Sequence, residues 1–105
     1  ALGNLYIAQG QYDRAVTALK GSNTNGEALA LIMNNDYAGA KRVLAAVKDA
    51  DAYTSYLAAV VAARTNDSAA VAQNLKKAVS LDASMKAKAQ KDLEFAKYQD
   101  AVSNL

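Results

Sequence analysis

The sequence predicts an all-α fold, a stack of antiparallel helix hairpins, and three observations carry that expectation. The stretch Gly10-Gln-Tyr-Asp-Arg-Ala-Val-Thr-Ala-Leu19 is restated 25 residues on as Asn35-Asp-Tyr-Ala-Gly-Ala-Lys-Arg-Val-Leu44, with Tyr12 answering to Tyr37, Ala15 to Ala40 and Leu19 to Leu44. In each copy a turn residue precedes an aromatic, a small residue three later and a leucine four after that, which is one face of a helix opening after a break. The chain of 105 residues has no Pro, five Gly and 52% apolar residues, many of them Ala, a composition that favours helix almost throughout. The breaks between periodic segments are short and polar, so consecutive helices become antiparallel neighbours. A single hairpin cannot bury its apolar face, and stacking of repeated hairpins supplies the core.

Residues 1–105 read as a single domain, with units over about 1–21, 22–49 and 50–84 and a capping helix over 85–99. Leu2, Leu5 and Tyr6 form an apolar stripe at the end of a first helix, Gly3 allows close approach of a neighbour, and Gly10 is the left-handed break. A helix over about 11–20 presents Tyr12, Ala15, Val16 and Leu19. The turn-rich GSNTNG follows, in which Thr24 and Glu27 have the spacing of a capping box; the loop is either flexible by composition or a closure where a shortened repeat rejoins the stack. A short helix over about 25–33 carries Leu29, Leu31, Ile32 and Met33, and Asn34-Asn35 ends it. Asp36 or Asn35 caps the next, about 36–48, with Tyr37, Ala40, Val43, Leu44 and Val47 inward.

Asp49-Ala-Asp51 supplies caps for a helix over about 51–65, the least polar of the chain. Its Tyr53, Tyr56, Leu57, Val60 and Val61 cover more than one side, so the helix is expected to be packed on two. Asp67 or Ser68 caps a helix over about 68–80 with Val71, Leu75, Ala78 and Val79 inward and Lys76 and Lys77 outward. Ser84 or Asp82 caps the last helix, whose inner stripe is Met85, Ala89, Leu93 and Ala96, with Phe95, Tyr98 and Val102 as a second patch and fraying past Asp100.

Composition narrows the function classes. The formal charge is +2, six basic residues balance six acidic ones through residue 75, and the excess follows from Lys76 onward. Lys76, Lys77, Lys86, Lys88 and Lys91 are interrupted by Asp82, Asp92 and Glu94 and have no interleaved aromatic, which reads as a solvated helical face and not as a nucleic-acid site; Lys88 with Asp92 and Lys91 with Glu94 have the spacing of helical ion pairs. With no His and no Cys, the usual nucleophile-base pairs, transition-metal clusters and disulfides cannot be built, so neither an enzyme nor a cofactor is expected. Asp49 and Asp51 are explained as caps, and GSNTNG lacks the lysine and the preceding strand of a phosphate loop. No run approaches the length of a membrane span, so membrane insertion is not expected. The start at Ala1, already in helical register, reads as a processed protein or a piece of a longer one.

Ala1-Leu2-Gly3 with Tyr6, Gly10, Tyr12, Ala15 and Leu19 resembles the tetratricopeptide repeat (TPR) family, with its Leu-Gly, aromatic, turn glycine, aromatic, small crossing residue and large closing one. Asn66, Leu75, Ala78 and Leu81-Asp82-Ala83 form a second match, with Ala83 where the family commonly has proline. The middle unit keeps Tyr37, Ala40 and Leu44 but shortens the helix before them. Its spacings, 25 from Ala15 to Ala40 and 31 from Ala40 to Val71, fall below the family period of about 34, and Val71 stands where a small residue is expected. The resemblance spans about residues 1–85 and implies a right-handed superhelix of degenerate repeats. Lys76-Lys-Ala-Val-Ser-Leu-Asp82 is also similar to cell-envelope repeat proteins of Bacteroides-like bacteria, which implies a periplasmic or envelope setting, with the cytoplasm as the other compartment.

In that family the first helix of each pair lines a concave face that holds an extended peptide. Carried over, the face comprises Tyr53, Tyr56, Val60, Ala63 and Arg64, joined by Asn4 and Ile7 from the first unit and Leu29, Ile32 and Met33 from the second. Two tyrosines one turn apart with an arginine two turns beyond suit an apolar and partly acidic peptide, through ring contacts and a charge-assisted bond. Alternatively, both rings seal the packing between hairpins. Asn4 sits where chaperone-binding relatives hold a C-terminal carboxylate, but Tyr56 and Val60 replace the supporting polar residues, so that clamp is not expected. The resemblance thus implies a non-catalytic protein- or peptide-binding scaffold. The other reading is a purely structural helical domain that packs against other domains of a longer polypeptide.

Overall fold

The computed structural model describes residues 10–105, and the expectations placed on Leu2, Gly3, Asn4, Leu5, Tyr6 and Ile7 lie outside the described residues. Those residues form seven α-helices and one 3₁₀ turn: α1 (Tyr12–Leu19), α2 (Asn25–Met33), α3 (Tyr37–Ala46), α4 (Ala52–Arg64), α5 (Ser68–Leu81), α6 (Met85–Lys91), the turn Leu93–Phe95, and α7 (Gln99–Ser103). The chain divides into two units, one ending at Lys48 and the other spanning Asp49–Leu105.

In the first unit α1 packs on α2 and α2 on α3. Its helices bury Ala15, Ala28, Ala30 and Ala40 completely, small residues that let helix axes approach closely, and bury the larger Ile32 with them. Thr24 caps α2 by accepting the N–H of Glu27 at 3.3 Å, but Glu27 does not complete a capping box. Its carboxylate reaches further back and accepts the N–H groups of Gly21 at 3.1 Å and Asn23 at 2.9 Å. Gly21 and Asn23 both have positive φ, and the 6% exposed Glu27 pins this otherwise polar loop to the start of α2.

One turn device recurs in both units. After α2, Asn35 adopts φ +64°, its N–H reaches Ile32 O at 3.0 Å, and the N–H of Asp36 reaches Leu31 O at 2.8 Å. After α4, Asn66 adopts φ +60°, with the corresponding bonds to Ala63 O at 3.4 Å and from Asp67 to Ala62 O at 2.9 Å. This is a Schellman ending with Asn at the left-handed position. The next residue starts the following helix: Asp36 accepts from the N–H of Gly39 at 2.9 Å and Asp67 from that of Ala70 at 3.1 Å. Gly10, at φ +75°, precedes α1 in the same relation. Ala15, Ala40 and Val71 each follow a left-handed residue by the same interval, and all three are 0% exposed.

In the second unit α4 and α5 form a hairpin, and α4 also meets α6 and the 3₁₀ turn. Nearly every α4 side chain from Ala52 to Ala63 is buried, as its wide apolar arc requires. Asp51 and Thr54 form a full capping box at its start, each accepting the other's N–H at 3.0 Å.

The single helix expected over 85–99 is instead broken. At Asp92 the backbone turns extended, and its side chain accepts the N–H of Glu94 at 3.0 Å to cap the 3₁₀ turn. An aspartate that bonds its own downstream backbone competes with helix continuation. The break resets the helical phase, so Leu93 is 88% exposed and Ala96 exposed, while Phe95 and Val102 are the buried residues. Past Asp100 the chain continues as α7, which packs on α5 and α6 where fraying was expected.

Candidate functional site

Tyr53, Tyr56, Val60 and Arg64 occupy successive turns of α4, so helix geometry alone places them along one side. The Tyr53 and Tyr56 rings stack with centroids 6.4 Å apart and planes 15° from parallel. Tyr53 and Arg64 are half-buried, whereas Tyr56 and Val60 are closed off from solvent. In the first unit Leu29 is half-buried and Ile32 fully buried on α2; Asn4 lies outside the described residues.

The chain's own segment 92–98 meets this side of α4 at Tyr56, Ala63 and Arg64. The phenol of Tyr56 donates to Asp92 Oδ2 at 2.5 Å. The guanidinium of Arg64 forms a two-pronged pair with Glu94, Nε to Oε1 at 2.9 Å and Nη2 to Oε2. Phe95 meets the Tyr56 ring edge-on, with centroids 5.5 Å apart and planes at 89°. Tyr98 donates its hydroxyl to the carbonyl of Ala63 at 3.1 Å. The Lys88 ammonium lies over both tyrosine rings, 5.3 Å from Tyr56 and 6.0 Å from Tyr53.

The ionic pairing expected within the last helix is therefore replaced. Once the helix stops at Lys91, Asp92 and Glu94 leave the face of Lys88 and Lys91 and are taken by Tyr56 and Arg64. Lys88, read as a solvated lysine away from aromatics, instead sits over two rings. Burial, then the hydrogen bond to Asp92 and its negative charge, push the Tyr56 hydroxyl well above the ordinary tyrosine range. Burial and the Asp92 charge raise Tyr53 in the same direction. Both phenols are thereby held neutral, and Tyr56 serves as a donor.

The α4 residues of this arrangement are among those named from the sequence, whereas Asp92, Glu94 and Phe95 are not among the candidate site residues. Their signal was faint: an Asp with an acidic residue two positions later, both of which also fit a helical pattern. Chemically the arrangement pairs a phenol and a guanidinium with two carboxylates of the same chain and sets two aromatic rings edge to face. Among the described residues no group of three or more His, Cys, Asp or Glu is placed to hold a metal ion, and no helix is long and apolar enough to cross a membrane. No protein-family model, curated protein or solved structure matches the chain.

Proposed function

We propose that the chain is a non-catalytic protein- or peptide-binding scaffold of the tetratricopeptide kind, a right-handed stack of degenerate hairpins whose recognition face is the Tyr53, Tyr56, Val60 and Arg64 side of α4. One observation carries the reading: Tyr56 and Arg64 each engage a carboxylate of one short segment that also places an aromatic ring on Tyr56. A helix face that binds an acidic and aromatic stretch of its own chain has the groups to bind such a stretch elsewhere. The recurrent Asn-Asp turn and the buried residues at Ala15, Ala40 and Val71 support the hairpin-repeat architecture behind it. A panel of short acidic and aromatic peptides titrated against the protein tests the proposal, with the Tyr53→Ala/Tyr56→Ala variant as control. Saturable binding lost in the variant is expected; no saturable binding by any peptide overturns it.

The burial of Tyr56, Val60 and Ile32 favours a second reading, a structural domain that packs against other parts of a longer polypeptide. On that reading the tyrosine variant loses stability and there is no peptide binding to lose.

A further inference from the structure

We propose that residues 92–98 are a tethered ligand of α4, occupying in cis a docking site whose partner in trans is a peptide of Asp-x-Glu-aromatic chemistry. This inference rests on the peptide-binding reading of α4 and adds both the ligand class and the regulation of the site.

The segment meets α4 through side chains, with Phe95 fully buried against it. Its backbone makes a single 3₁₀ turn, with Asp92 extended before it and Tyr98 irregular after it, so no regular helix of its own fixes its position. Its side chains sort into two sets. Asp92, Glu94, Phe95 and Tyr98 turn to α4, and Leu93, Ala96 and Lys97 are exposed.

The receptor side is built on the regular α4–α5 hairpin, which is closed by its own Schellman turn and Asp67 cap. Arg64 is the one basic residue in the sequence of α4, so the specificity for acid rests on it together with the Tyr56 phenol. The Arg64–Glu94 pair keeps about a quarter of each side chain exposed, leaving that end of the contact within reach of a competing carboxylate.

Tethering explains how a short contact can hold such a face closed. A segment joined to its site through residues 65–91 of the same chain meets it as an intramolecular partner, so modest affinity suffices to occupy it. A partner peptide then meets the site with an apparent affinity reduced by the fraction of molecules whose strap is open. Weakening the cis contacts raises that fraction and strengthens binding in trans.

The test is fluorescence anisotropy with a labelled peptide of residues 92–98, Asp-Leu-Glu-Phe-Ala-Lys-Tyr, titrated into the whole chain. The Asp92→Ala/Glu94→Ala variant is expected to bind about tenfold or more tightly than the parent, because its strap no longer competes. Adding Arg64→Ala to that variant is expected to abolish the gain. Hydrogen exchange over residues 92–103 reports strap release independently, and circular dichroism reports whether α4 and α5 remain folded. If the alanine pair disturbs the fold, the isosteric Asp92→Asn/Glu94→Gln pair reads the same shift. Equal affinity of parent and released variant overturns the masking and leaves the peptide-binding reading standing. A released, folded variant that binds no peptide overturns both. Strap exchange between two copies, seen as a concentration-dependent dimer without added peptide, makes the occupant a second copy and overturns the partner proposed here.

Discussion

The phenol of Tyr56 and the carboxylate of Asp92 meet at 2.5 Å across 36 positions of sequence, joining the middle of α4 to the point where the last helix breaks. Asp92 is bound on both oxygens, by Tyr56 on one and by the N–H of Glu94 on the other. A hydrogen bond to a charged group contributes about 1.5–3 kcal/mol, so Tyr56→Phe is expected to lower the unfolding free energy by about 2 kcal/mol. The double variant with Asp92→Ala is expected to lose less than the sum of the single losses, because both changes remove the same bond. Urea midpoints of the four proteins in the cycle check this, and strict additivity contradicts a direct bond.

The Arg64–Glu94 pair calls for a smaller number despite its two-pronged geometry. Both side chains are about a quarter exposed, so solvent screens the charges. Arg64→Met, which keeps most of the apolar stem, is expected to cost about 0.5–1 kcal/mol, and less as salt is added. The Tyr56→Phe loss is expected to stay nearly constant with salt. Denaturation at two ionic strengths separates the two contacts.

Glu27 gives a prediction confined to the first unit. Its carboxylate is the acceptor for the Gly21 and Asn23 N–H groups and is almost completely buried. Glu27→Ala removes both bonds and is expected to destabilise by about 2 kcal/mol, with Glu27→Gln losing less because an amide oxygen still accepts. Amide exchange of Gly21 and Asn23 is the direct reading: both are expected to speed up in Glu27→Ala.

Most of the helical layout was legible because it is written in local chemistry. Asp36, Asp51 and Asp67 cap the helices at which they were expected, and the interval from Gly10 to Asn35 to Asn66 marks equivalent turns. The C-terminal third was less legible. Asp92 fits a helical face by spacing, and only the distant Tyr56 makes its departure from that face favourable. Glu27 shows the same limit on a smaller scale: Thr24 and Glu27 have capping-box spacing, yet the carboxylate is drawn to a loop whose left-handed residues point two N–H groups at it. The α4 face was readable as aromatic and basic, but its covering segment depends on a contact between residues far apart in sequence.

Ala40 tests the hairpin geometry. It is 0% exposed on α3, which packs against α2, and it corresponds in position to Ala15 and to the larger Val71. Ala40→Leu adds side-chain volume where no space is left and is expected to cost about 1–3 kcal/mol. An unchanged urea midpoint would remove the α2–α3 crossing as drawn.

The raised tyrosines of α4 set a pH dependence whose sign is fixed. Burial and Asp92 lift Tyr56, and more weakly Tyr53, above the ordinary value of 10.0 that applies once the chain unfolds. A group held protonated in the folded state contributes its full stability below that unfolded value and loses it as pH rises toward the folded one, because the unfolded chain then gains by ionising. Stability is therefore expected to decline from about pH 10 upward, and Tyr56→Phe is expected to flatten the decline. Tyrosinate absorbance followed together with circular dichroism checks it: Tyr53 and Tyr56 are expected to ionise above the ordinary value, and Tyr56 only as helicity is lost. Reversible ionisation of Tyr56 near the ordinary value, with helicity intact, would show that it is neither buried nor bonded to Asp92 in solution.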